Sequence, residues 1–114
     1  MTTRTPEEVF AHHGQALGAE NLEEIVADYT EDAILLVNKQ VFRGKDGARA
    51  VFTQLLSDLP AAAWQLDTVF AEDVLYLEWK ATGGGRQSDD AIDTFIFKDG
   101  MIRVQTVFYT VKPA

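Results

Sequence analysis

The sequence predicts an α+β fold in which a curved antiparallel sheet wraps around N-terminal helices and forms a cone with an internal pocket. Two patterns predict it. Apolar residues recur at helical spacing through most of the first half of the chain, and they alternate through the second half. Because a long antiparallel sheet twists, we expect it to curl around the helices. A length of 114 residues supports one core, so we expect a single domain over residues 1–114.

A capped helix is predicted at the start of the chain. Thr5 can act as its N-cap, Pro6 suits the first turn, and Glu8 lies where a capping box requires an acid. The apolar stripe of this helix places His13 inward and His12 outward. We expect the helix to end near residue 18.

A shorter second helix and a first strand are predicted next. Asn21 is the candidate N-cap, Glu24 would complete another capping box, and Tyr29 would lie on the buried side of the helix. The run AILLV at 33–37 is apolar without alternation, which predicts a strand covered on both faces. Residues 38–40 predict a turn.

A third helix and four long strands complete the predicted order. Helical spacing covers residues 44–56, and Pro60 follows its end. Alternation then predicts strands at about 63–72, 74–82, 89–98 and 101–112. Their short connections favour antiparallel hairpins, and Asp99-Gly100 is the strongest turn signal. The segment GGGR has neither the strand-to-helix context nor the Lys and Ser/Thr of a phosphate loop, so it predicts a mobile hairpin tip.

The composition argues against several classes of partner. The formal net charge is -8 and the basic residues are scattered, which opposes binding to nucleic acid or to an anionic membrane. The chain has no cysteine, so thiolate chemistry is excluded. It contains no apolar run long enough to cross a bilayer and no signal-peptide pattern, so we expect a cytoplasmic protein.

One acid stands on an aromatic face of a predicted strand. In DDAIDTFIFKDG, counting every second residue places Asp93 on the same face as Phe95 and Phe97. If this face lines the cone, the same counting predicts a mainly apolar pocket for a small apolar ligand. Its predicted lining comprises Phe10, Tyr29, Leu35, Val37, Val51, Phe52, Trp64, Leu77, Trp79, Phe95, Gln105, Val107 and Tyr109 around Asp93 and His13. Adjacent helical histidines cannot share one metal ion, so we predict no metal site and no cofactor.

The order of elements resembles the nuclear transport factor 2-like superfamily, in particular its ketosteroid-isomerase-like and SnoaL-like (polyketide cyclase) branches. The resemblance covers nearly the whole chain, through ALGAENLEEIVADYTEDAILL, FRGKDGARAVF and IDTFIFKDGMI. It specifies the fold better than the activity, because the superfamily contains enzymes of several kinds and non-catalytic partners. It implies a conical pocket and usually a homodimer through the outer sheet face.

The resemblance also indicates which known activities do not carry over. The position of the isomerase base falls on Val37, which has no acid-base group, and the position of its tyrosine falls on His13. Of that catalytic set only the aspartate remains, as Asp93, so steroid isomerisation by that mechanism is not expected. Epoxide hydrolysis in a related branch needs an arginine at position 91, which is Ala91 here.

Three hypotheses therefore stay open. In the first, the chain is an isomerase, cyclase or lyase in which Asp93 and His13 perform acid-base chemistry on a carbonyl or polyketide-like compound, oriented by Gln105 and Tyr109. In the second, the same pocket binds a ligand without turnover. In the third, side chains fill the cone and the protein is a dimeric scaffold. Hydrogen bonds within the core would also account for Asp93, and His13 would then be a core histidine.

Overall fold

The structure is a computed structural model that describes residues 3–114. Within that range the chain forms three helices and seven strands. In chain order they are α1 (Pro6–Gly18), α2 (Leu22–Ala27), β1 (Tyr29–Val37), β2 (Gln40–Arg43), α3 (Gly44–Asp58), β3 (Ala63–Ala71), β4 (Val74–Gly83), β5 (Arg86–Lys98), β6 (Met101–Phe108) and β7 (Lys112–Pro113). This arrangement confirms the predicted α+β class.

The strands form one unclosed, curved sheet in the order β2-β1-β6-β5-β4-β3, with the short β7 paired to β5. Strands β3 to β6 form the antiparallel meander that their short connections predict. Strand β1 pairs with β6 in parallel, which the sequence did not indicate. The last strand of the meander, β6, therefore lies beside β1, although the other strands of the meander separate the two in sequence. Strands β2 and β3 are the two edges.

The helix starts follow the predicted capping, with one difference. Thr5 Oγ1 accepts the N–H of Glu8 at 3.1 Å, and the Glu8 carboxylate accepts the N–H of Thr5 at 2.8 Å, so this capping box is complete. At α2, Asn21 Oδ1 accepts the N–H of Glu24 at 3.2 Å. The Glu24 carboxylate does not close a second box, because it is hydrogen-bonded to the His12 ring instead.

Strand β1 differs from its prediction in two ways. It begins at Tyr29, which was predicted to belong to the second helix, because the backbone of Tyr29 pairs with Ile102 of β6. Its burial alternates, and Leu36 is 41% exposed, so the expectation of cover on both faces was wrong. The helices cover the inner face of the sheet, and within the described residues no element packs over Leu36.

The ends of two later strands also differ from the prediction. Strand β5 starts at Arg86, and the hairpin turn is reduced to Gly84 and Gly85, both with positive φ (61° and 78°). Glycines tolerate these φ values, which allow a two-residue turn. Strand β6 ends at Phe108 instead of 112, because the Asn38 side chain accepts the next backbone N–H at 2.9 Å in place of a strand partner.

The core lies between the inner sheet face and the helices. Its most buried large side chains come from α2, β1, β4, β5 and β6, and include Ile25, Tyr29, Leu35, Leu75, Phe95 and Ile102. Among residues 3–114, no helix has the length and apolarity needed to cross a membrane.

Candidate functional site

Strand β5 carries Asp93 on the inner face, as the alternation predicts. Ala91, Asp93, Phe95 and Phe97 are all buried, whereas Ile92 between them is exposed. Asp93 is directly opposite Leu77 of β4 and Val107 of β6. An acid therefore lies in the middle of an apolar sheet face, flanked by apolar residues on both neighbouring strands.

Both carboxylate oxygens of Asp93 accept a hydrogen bond from a buried side chain. Trp79 Nε1 donates to Oδ1 at 2.8 Å, and Gln105 Nε2 donates to Oδ2 at 2.8 Å. The Tyr29 hydroxyl in turn donates to Gln105 Oε1. The result is a buried polar chain from β1 through β6 to β5, in which every member has a partner.

Burial dominates the protonation of Asp93. It raises the pKa of this carboxyl from 3.8 to about 7, and the hydrogen bonds from Gln105 and Trp79 oppose the rise without cancelling it. Asp93 therefore exchanges its proton near neutral pH. When Asp93 is protonated, the Gln105 side-chain amide can turn over. Gln105 Oε1 would then accept the Asp93 O–H, and Gln105 Nε2 would donate to the Tyr29 oxygen.

His13 lies in the same region but forms no hydrogen bond with Asp93. Its ring lies 5.3 to 6.1 Å, centroid to centroid, from the rings of Phe10, Tyr29, Phe52 and Phe95. Burial lowers the pKa of His13 to about 4, so its imidazole is neutral at neutral pH. Its Nδ1 is buried and finds no hydrogen-bond partner among the described residues. A buried polar atom in this condition calls for an explanation, and a ligand atom would supply one.

Asp93 and His13 line a cavity of about 40 Å³ between the inner sheet face and helices α1 and α3. Its wall consists of Phe10, His13, Gly14, Leu17, Val51, Phe52, Leu55, Trp64, Leu66, Leu77, Trp79, Asp93, Phe95, Gln105, Val107 and Tyr109. The predicted lining residues are all present except Tyr29, Leu35 and Val37. These three are buried in the core, where Tyr29 contributes through its bond to Gln105.

The sequence prediction missed four lining residues, and three of them carried a signal. Leu17 lies four residues after His13 on the same helix face, Leu66 has the same strand parity as Trp64, and Leu55 belongs to the predicted apolar stripe of the third helix. Gly14 could be located only from the structure.

Gly14 leaves space beside the cavity. Beyond its chain neighbours and the backbone of its own helix, a Cβ atom at this position would meet no described atom within 4 Å. Glycine in a helix interior costs about 1 kcal/mol relative to alanine, so its presence in α1 favours a role for the open space. Leu66 on edge strand β3 also lines the cavity and is 48% exposed. The cavity therefore reaches the surface beside Leu66, and we call this side its mouth.

The cavity volume limits what can enter. A volume of about 40 Å³ has room for roughly three or four water-sized groups. Most sites for drug-sized ligands are larger, at about 300 to 1,000 Å³. A ligand would therefore insert a small group, with any larger part remaining at the mouth.

A second polar cluster lies outside the cavity, around the fully buried Asp28. Its carboxylate contacts His12 Nδ1 at 2.7 Å and Arg4 at 3.0 Å, and the other His12 nitrogen contacts Glu24 at 3.0 Å. The hydrogen bond to Asp28 is the main cause that raises the pKa of His12. The sequence placed His12 outward but did not indicate this cluster. Among the residues described, no three His, Asp or Glu side chains group in a way that could hold a metal ion.

Comparisons with solved structures agree with the fold. A protein of unknown function, like nuclear transport factor 2, from Burkholderia xenovorans is 16% identical with a TM-score of 0.78, over 92% of this chain and 82% of that one. A candidate ketosteroid isomerase from Kribbella flavida is 14% identical with a TM-score of 0.77, over 95% and 81%. The epoxide hydrolase/cyclase-like enzyme SalBIII, from pyran ring formation in the polyether salinomycin, is 18% identical with a TM-score of 0.74, over 96% and 95%.

Identities this low establish a shared fold only. No curated protein matches the sequence significantly. The SnoaL-like domain family matches residues 10–105, which run from within α1 into β6 and include the site residues Asp93 and Gln105. The chain therefore belongs to the SnoaL-like domain family of the nuclear transport factor 2-like fold.

Proposed function

We propose that the chain binds a small ligand in the cavity, where Asp93 either exchanges a proton with the ligand or anchors it without turnover. The observation that carries this proposal is a buried acid in the wall of an apolar cavity, where burial raises the pKa of Asp93 to about 7. A buried acid with a perturbed pKa in a cleft is a candidate functional group, and the side chains that donate to Asp93 among residues 3–114 are the neutral Trp79 and Gln105. The unpartnered nitrogen of His13 offers a second polar contact for the ligand.

In its catalytic form, this proposal makes the protein an isomerase, cyclase or lyase acting on a carbonyl or polyketide-like compound. Asp93 would move the proton, neutral His13 would donate a hydrogen bond to the developing oxyanion, and Gln105 would hold Asp93 in place. Tyr109 lies in the cavity wall and would orient the substrate. The names of the neighbours SalBIII and the candidate isomerase are consistent with such chemistry.

Ligand entry can be tested with a blocked cavity. The chain has two tryptophans, and both line the cavity, so their indole N–H signals in an NMR titration report on this site. We expect butanone or tert-butanol to shift these signals saturably in the native chain. Gly14→Leu should weaken that binding at least about tenfold, because its side chain has open space to fill beside the cavity.

Gly18→Leu is the matched control. Gly18 also has open space around it and lies on the same helix, but it is not part of the cavity wall. This variant should bind like the native chain. Equal weakening by both substitutions, or no saturable shift with either compound, would overturn the ligand pocket.

Asp93→Asn then separates catalysis from binding. Deuterium uptake at the carbon atoms beside the butanone carbonyl measures proton abstraction. If uptake above the buffer rate disappears in the variant while the indole shifts persist, Asp93 is catalytic. If the native chain causes no uptake and the variant loses binding, Asp93 is a ligand anchor without turnover.

A second candidate function, a homodimeric scaffold, is favoured by the outer face of the sheet. The strand register aligns a row of apolar and threonine side chains from edge to edge: Val69, Tyr76, Thr94, Thr106, Leu36 and Val41. The adjacent row contains Val74, Ile96, Val104 and Ile34. Extended exposed apolar surfaces of this kind mark interaction sites.

The charges around these rows suit a second copy of the chain. Asp67 and Glu78 lie at one corner of the face, and Arg43 lies at the diagonally opposite corner. A two-fold axis that lies in the interface plane, perpendicular to the line joining these corners, would bring Arg43 of one copy against Asp67 and Glu78 of the other. This complementarity supports an isologous dimer.

A charge placed on the outer face tests the dimer. Ile96→Lys should raise the dissociation constant of the dimer by at least about 100-fold, since an apolar contact near the two-fold axis is replaced by two like charges. Thr53→Lys is the control, because Thr53 is exposed on α3 and away from the sheet face. Molar mass measured by light scattering during gel filtration gives the result. A native chain that stays monomeric at high concentration would contradict the proposal.

A further inference from the structure

The cavity wall contains an acid but no basic side chain that balances its charge among the described residues. Asp93 is the residue in this wall whose pKa lies near neutral pH, and no Lys or Arg lines the wall in the described part of the chain. His13 is neutral, and burial raises the pKa of Tyr109 to about 12, so that phenol is neutral as well. An anionic ligand would face Asp93 without any opposite charge, which is costly in an apolar site.

Aromatic rings form much of the remaining wall. They are Phe10, Phe52, Trp64, Trp79, Phe95 and Tyr109. Trp64 and Trp79 lie 5.2 Å apart, and Tyr109 lies 5.6 Å from Trp79, between ring centroids. Aromatic rings clustered beside a carboxylate form an environment that attracts an organic cation through the ring quadrupoles as well as the acid.

Where Asp93 acts as an anchor without turnover, its hydrogen bonds favour a cation over a carbonyl group at this position. The two donors that face Asp93, on Trp79 and Gln105, are already bonded to it. They are not free to bind a ligand oxygen. A carboxylate can accept about four hydrogen bonds, so Asp93 remains a negative centre with unused capacity. A quaternary ammonium group needs proximity to such a centre and no hydrogen bond.

On the basis of the ligand pocket proposed above, we propose that the group received beside Asp93 is a small organic cation, a tertiary or quaternary ammonium headgroup. A nitrogen with three methyl groups matches a cavity of about 40 Å³, which holds roughly three or four water-sized groups. The net charge of -8 attracts such cations to the protein. On binding, the cation replaces the Asp93 proton, which is released to solvent, and the carboxylate and ammonium form an ion pair.

A matched pair of probes tests this inference on the native chain. Choline carries the trimethylammonium group, and its uncharged isostere carries a tert-butyl group in the same position. Tryptophan fluorescence measures both affinities, since both tryptophans line the cavity. We expect choline to bind about tenfold more tightly than the isostere. Choline affinity should rise between about pH 6 and about pH 8 as Asp93 loses its proton, and the affinity of the isostere should not.

Two variants assign the preference to Asp93. Asp93→Asn should remove the preference for choline, whereas Asp67→Asn, which removes the same group from the outer sheet face, should retain it. Equal or tighter binding of the isostere by the native chain would overturn the cationic headgroup and leave the ligand pocket standing. Suppose that neither probe binds, but butanone binds and Gly14→Leu weakens its binding. This result would also overturn the cationic headgroup and leave the ligand pocket standing. If no probe binds, both proposals fail.

Discussion

As the pH rises from about 4 to about 8, we expect the free energy of unfolding of Asp93→Asn to increase by about 4 kcal/mol relative to that of the native chain. The pKa of Asp93 is about 7 in the folded protein and 3.8 as a model value for the unfolded chain. Because folding raises this pKa, the contribution of Asp93 to the stability of the native chain is complete below pH 3.8 and is lost as the pH rises through about 7. Asparagine does not titrate, so the variant avoids this loss.

Urea unfolding at a series of pH values measures the difference between the two proteins. At low pH we expect the native chain to be the more stable, because a protonated Asp93 and Gln105 can share a hydrogen bond with matched polarity. The free energy of unfolding of the control Asp73→Asn should stay within about 0.5 kcal/mol of the native value, since Asp73 is exposed in the turn between β3 and β4. Parallel curves for Asp93→Asn and the native chain would mean that Asp93 is ionised throughout, and the proton-exchange proposal would then lose its basis.

The position of Asp93 was predictable because strand alternation is a local property. The two-residue period fixes which face a side chain occupies once the strand is recognised, and β5 keeps this period from Ala91 to Phe97. The same reasoning identified Trp79 and Gln105 as neighbours of the acid. Their hydrogen bonds to Asp93 follow from strand register, which the short connections largely determine.

Contacts between distant elements were not predictable in this way. The bond from Tyr29 to Gln105 depends on β1 pairing with β6 in parallel, and no local pattern encodes that pairing. The contact between His12 and Asp28 joins α1 to the end of α2, and it depends on how the two helices pack. The cavity volume likewise depends on exact side-chain packing, which the predicted list of lining residues could not supply.

Asp28→Ala is expected to destabilise the protein by about 3 kcal/mol near pH 6. Asp28 is 1% exposed, and its carboxylate is the shared partner of His12 and Arg4. Removing the acid leaves two cationic groups without their buried counterion. Both groups are partly exposed, so water compensates in part, and we therefore expect the lower end of the usual range for a broken buried pair.

The stability that Asp28→Ala loses should depend on pH, because His12 changes its charge. The pKa of His12 is raised above its ordinary 6.5, mainly by the hydrogen bond to Asp28. The stabilisation is therefore complete below 6.5 and is lost as the pH rises through the raised pKa. Asp28→Ala should lower the free energy of unfolding most in acidic buffer and less in alkaline buffer. Asp28→Asn keeps the size of the side chain and a hydrogen-bond acceptor, so it should lower this free energy less at every pH. Urea unfolding gives the stabilities, and NMR titration of the His12 ring checks the cause. A native His12 that titrates at or below its ordinary value would show that the ion pair with Asp28 does not carry the effect.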